Sequence, residues 1–200
     1  KNLQCIRNIV TPNEQTPLFN GSFEESLGDF NKFVRDLDYK TTPNKNLVGG
    51  IQPLKFKNVT VFFDIGAPPH KIFSNCYQSG PLSFEYFLDD SKIITNCGFG
   101  NQISFKAELL SRLTSAQSTL TLNDTSVTKF ERNKLLNKTF GNSIKNSFKM
   151  SNVELINDKD MIKCIASHDG YEKNFGCIHK REISIEKTTE NLSGCDKLFK

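Results

Sequence analysis

Two hundred residues can bury one sizeable core, and 36% of them are aliphatic, aromatic or cysteine. The net charge of +4 comes from 26 basic and 22 acidic residues interspersed along the chain, which excludes the basic stripe of a nucleic-acid binder. Apolar runs such as VTVFFDI (59–65) stop well short of the roughly 20 residues of a membrane helix, so membrane association is expected only through an anchor or partner outside this chain.

With 17 Phe, 4 Tyr and no Trp, phenylalanine supplies most of the large core side chains. In chain order, residues 3–10 read as a strand leading into a proline-bearing loop. The stretch 22–39 reads as an amphipathic helix. Ser22 and Glu25 have capping-box spacing, and Phe23, Leu27, Phe30, Val34 and Leu37 fall on one face. From residue 47 to 122 the pattern is β-rich. Residues 58–65, 70–77, 82–89, 92–97, 102–110 and 118–122 read as strands, with Asp89-Asp90-Ser91 turning an 82–97 hairpin. Residues 123–149 read as loops, polar and basic toward their end. C-terminal strands are expected within 150–187, at 153–156, 161–167 and 175–187. The last changes its apolar face midway, which suits an edge strand or a bulge. The expected fold class is mainly β with a minor α+β character. It is an antiparallel β-sandwich or compact β-rich domain spanning 1–200, with one N-terminal amphipathic helix and disulfide stabilisation. The Cys–Trp–Cys spacing of immunoglobulin domains fails for want of tryptophan.

Six dispersed cysteines without a CxxC suit three disulfides in an oxidising compartment. The expected bridges are Cys76–Cys97, Cys164–Cys177 and Cys5–Cys195. Five N-x-S/T sequons, at Asn20, Asn58, Asn123, Asn137 and Asn191, are candidate glycosylation sites. The start at Lys1, with no charged-then-apolar leader, reads as a mature secreted chain or an excised ectodomain.

The stretch CIASHDGYEKNFGCIHK (164–180) admits two readings. Cys164, His168, Cys177 and His179 could ligate zinc, or Cys164 and Cys177 could clasp the base of a hairpin and leave the histidines without a role. The other cysteines and the sequons favour the clasp, so no metal or cofactor is assigned. No G-x-S-x-G, HExxH or phosphate-binding glycine motif occurs, and the acidic pairs Glu24-Glu25 and Asp89-Asp90 fall at a helix start and a turn. No catalytic residue is therefore assigned.

The resulting expectation is a non-enzymatic glycoprotein domain, secreted or on a virion surface. It would bind a host cell-surface protein, a glycan or a sister envelope subunit during viral attachment or entry. A soluble secreted decoy that captures a host protein is the alternative. An extracellular hydrolase, with a site assembled in space around His70, His168 or His179, is the third reading.

Overall fold

The computed structural model describes residues 8–37, 49–131 and 141–200. Eight strands form two four-stranded antiparallel sheets, each ordered as consecutive neighbours. The first holds β1 (Ile51–Phe56), β2 (Val59–Asp64), β3 (Phe84–Leu88) and β4 (Ser91–Ile94). The second holds β5 (Met150–Asn157), β6 (Met161–His168), β7 (Ile178–Glu186) and β8 (Leu192–Phe199). The β-rich expectation is met; β8 lies beyond the region in which strands were expected.

The sheets pack through alternate side chains. Leu54, Val59, Val61, Phe63 and Leu82 meet Ile162, Cys164, Ala166, Ile183 and Ile185 in one apolar cluster. β2 is buried at every position, because its other face is also covered. There Phe62 and Phe87 stand edge-to-face at 6.0 Å and pack with Phe19 and Ile51, so the N-terminal segment forms a third layer over the first sheet. Each fully buried phenylalanine contributes about 2 kcal/mol.

Four expectations change. The N-terminal helix is α1 (Gly28–Asp36), shorter than 22–39. Thr16 N–H donates to Glu25 O and Leu27 N–H to Glu14 O, so residues 22–27 are engaged by an extended partner before the helix begins. The Ser22 hydroxyl donates to Phe19 O and caps nothing, and of α1 only Val34 is buried. Residues 70–77 hold a single 3-10 turn, Lys71–Phe73, instead of a strand. Residues 102–110 lead into α2 (Phe105–Ser111), whose N-cap Ser104 accepts from Ala107 N–H at 3.1 Å. The expected strand 118–122 joins neither sheet.

β7 shows why its pattern misled. It is a central strand in unbroken register with both neighbours, and His179, Arg181, Ile183 and Ile185 all face inward. The change of apolar face came from two polar side chains standing on the core face. The sheet's bulge lies on β5, between Ser151 and Glu154.

Candidate functional site

The two inward polar residues of β7 anchor a buried chain of polar groups. The antiparallel register sets His168 directly opposite His179. His168 Nε2 lies 3.1 Å from His179 Nδ1, and His179 Nε2 lies 2.7 Å from Asp196 Oδ1 on β8. Arg181 closes the chain, with Nε and Nη2 donating to the two Asp196 oxygens at 2.7 and 2.9 Å. Its Nη1 donates across the sandwich to Leu82 O and Ser118 O, both at 2.7 Å. This one guanidinium ties the second sheet to the loops of the first.

Backbone chemistry fixes the proton positions. Gly170 N–H can only donate, and it points at His168 Nδ1 from 3.1 Å. His168 must then carry its proton on Nε2 and donate to His179 Nδ1. His179 in turn carries its proton on Nε2 and donates to Asp196. Both imidazoles are fully buried. Burial first, then the neighbouring His179 ring and the Arg181 guanidinium, push His168 down to about 3. Burial alone would raise the Asp196 carboxyl, but hydrogen bonds from His179 and Arg181 outweigh it and hold the group well below the usual carboxylate range. Asp196, 36% exposed, is the one point where this chain meets solvent. A proton entering there ends at an amide that cannot accept it, so the arrangement orients and locks rather than shuttles.

A second buried polar cluster lies in the loops beside it. Gln78 Nε2 donates to Gly98 O and Ser111 O, both at 2.8 Å, and Gln117 Nε2 donates to Ser111 O at 2.7 Å. Asn96 Oδ1 accepts from Ser118 N–H and Oγ–H. The buried Glu85 carboxylate accepts from Thr95 Oγ1 at 2.6 Å and from the N–H groups of Leu18 and Asn96. Buried Arg112 donates to Tyr77 O and Ser74 O and stacks 4.0 Å over the Phe130 ring. These side chains do for the loops what a ladder does for strands. Ser118 belongs to both clusters, which explains why 118–122 pairs through side chains and not as a strand.

Neither Cys76–Cys97 nor Cys164–Cys177 is formed, and among the described residues Cys76, Cys97, Cys164, Cys177 and Cys195 are free thiols. For Cys164 and Cys177 the register gives the reason. Cys164 sits four residues below the His168–His179 pair and Cys177 two above it, roughly 20 Å along the strands, against the about 6 Å a disulfide spans. Burial pushes the Cys164 thiol up to about 12. Cys5 lies outside the described residues. No group of His, Cys, Asp or Glu among the described residues is placed to hold a metal ion. His70, Cys76 and Cys97 are exposed at the loop end. Of the sequon asparagines, Asn20, Asn123 and Asn191 are exposed. Asn58 is half-buried in the β1–β2 turn, and Asn137 lies outside the described residues. Asp196, Arg181, Gln78, Asn96, Gln117 and Arg112 belong to no short motif. Only the register of the strands, once known, brings them together.

The fold of these two packed antiparallel sheets is shared with parts of several solved structures. Heparan sulfate lyase HepC from Pedobacter heparinus superposes with a TM-score of 0.64 at 15% identity, covering 92% of this chain and 30% of that one. A mutant of the same lyase gives 0.65 with the same identity and coverage. A heparinase III gives 0.59 at 13% identity, over 92% of this chain and 31% of that one. The chain thus spans under a third of the length of these enzymes. No curated protein sequence matches it. The model of the heparinase II/III-like C-terminal family matches residues 40–200, and the chain belongs to that family.

This membership overturns the expectation of a viral attachment glycoprotein, of a non-enzymatic role, and of a host receptor or sister envelope subunit as partner. The search for chemistry had used short contiguous motifs. The family is carried by a pattern spread over 161 residues, counting from 40 to 200, which no local string reveals.

Proposed function

We propose that this chain is the β-sandwich part of a polysaccharide lyase acting on an acidic, uronate-containing polymer of the heparan sulfate kind. The observation that carries this reading is the family match over residues 40–200, supported by the fold shared with heparan sulfate lyases. A lyase of this class removes a proton next to the uronate carboxylate and expels the neighbouring sugar oxygen, which leaves an unsaturated product. The buried histidines of this chain are sealed from a polymer, so their part is to fix the sandwich. The exposed loop end and sheet faces are what a polymer meets. The reading keeps the protein outside the cytosol, where such polymers occur.

The test incubates the full polypeptide that contains this chain with heparan sulfate and with other uronate polysaccharides. Ultraviolet absorbance of the unsaturated uronate and new reducing ends are followed together. Matched growth of both signals is expected; no product from any uronate polymer would overturn the reading.

A further inference from the structure

The outward face of the second sheet carries a charge arrangement that folding does not explain. Lys180 on β7 stands directly opposite Lys197 on β8. Both point outward, since their neighbours His179, Arg181 and Asp196 form the internal chain. Like charges directly opposite each other destabilise a sheet. A lysine on an edge strand guards against unwanted pairing, which accounts for Lys197. Lys180 is on a central strand, where no such role exists. Neither ammonium forms a salt bridge among the described residues. The near carboxylate, Glu182, is one row away; it is hydrogen-bonded to Lys163 at 2.6 Å and reaches Lys180 and Lys197 only through its field, without contact. One row to the other side, Ile178 stands opposite Phe199, and the Phe199 ring is 46% exposed. Two unpaired ammonium groups and a bare aromatic ring therefore lie on adjacent rows of one open face.

We propose that Lys180, Lys197 and Phe199 form a surface subsite for an acidic sugar unit of a polysaccharide. The carboxylate or sulfate would lie between the two ammonium groups, and the C–H face of the ring would rest on Phe199. Strands about 5 Å apart, with same-face rows roughly 6.6 Å apart along them, suit an extended polymer lying on the sheet. The anion removes the lysine–lysine repulsion that the free protein carries. The choice of polymer rests on the lyase reading; the subsite itself rests on the register and the charges.

Calorimetry would measure binding of heparan sulfate oligosaccharides that exhaustive lyase digestion can shorten no further. Lys180→Gln/Lys197→Gln should weaken binding by about tenfold or more. Phe199→Ala should weaken it several-fold, and the double lysine variant should unfold at the same or a slightly higher temperature. Glu182→Gln should tighten binding. Binding that survives in a protein without lyase turnover supports the subsite and separates it from the enzymatic reading. Unchanged affinity in the double variant would overturn it. So would equal affinity, equally lost, for a DNA duplex of matched charge, since that is attraction to any polyanion.

Discussion

Burial moves His168 down to about 3 and Asp64 up to about 7, so the two groups pull stability in opposite directions as pH changes. From about pH 4 to 6.5 the unfolded chain protonates His168 and the fold does not, so this group makes stability rise with pH by about 1.4 kcal/mol per unit. Over about the same range the fold keeps a proton on Asp64 that the unfolded chain releases, so Asp64 makes stability fall with a similar slope. Glu85, also raised mainly by burial, adds to the Asp64 sign. The His168 slope offsets the Asp64 slope and Glu85 tips the sum, so wild-type stability should fall only gently as pH rises above about 4. Below about pH 4 it should be lost as the unfolded chain, but not the fold, protonates Asp196. Urea titrations across pH check this. Asp64→Asn should gain stability with rising pH, and His168→Gln should lose it. If both variants keep the wild-type profile, the account is wrong. A second check at this scale is nitrogen NMR of the imidazoles, which should report Nε2–H for both His168 and His179. The sequence showed two histidines near two cysteines, but not which atoms would meet. That depended on a register that makes 168 and 179 partners and leaves 164 and 177 far apart.

At the scale of elements, the β6–β7 hairpin depends on its turn and on one cross-sheet side chain. A Cβ on Gly170 would stand 2.3 Å from Val127 Cγ1 and 3.0 Å from His168 Nδ1. Gly170→Ala should therefore cost about 2 kcal/mol or more and disturb the His168 acceptor. Removing Arg181 strips the partly buried Asp196 carboxylate of its charged partner, leaving it only His179, and takes the donor from two carbonyls, so Arg181→Met should cost about 3–5 kcal/mol in urea unfolding. A loss below about 1 kcal/mol would mean that the cross-sheet bonds contribute little. Legibility at this scale followed the hydrophobic pattern. β2, β3 and the 82–97 hairpin were readable because apolar and turn residues marked them. β7 was misread because inward polar residues look like outward ones in a sequence, and 102–110 because a helix of seven residues carries too few turns to show its period.

For the whole molecule, the free thiols give a direct check. Mass-spectrometric labelling of the native protein should modify Cys76, Cys97 and Cys195, and should reach Cys164 and Cys177 only after denaturation. Reductant should leave the unfolding midpoint unchanged; a marked fall would restore a disulfide framework. Composition made the β-rich class legible, but six cysteines and five sequons pointed toward a secreted binding protein. Their spacing is compatible with many folds, whereas family membership resides in the long-range pattern of two sheets.

Each sheet pairs only strands that are consecutive in the chain, so no strand waits for a partner from the other sheet's segment. The N-terminal layer is different, since Leu18 N–H must wait for Glu85, 67 residues later, before its hydrogen bond can form. During synthesis this segment must therefore wait for β3 before it can find its place. Until it does, the apolar back of the first sheet around Phe62 and Phe87 stays open to other nascent chains.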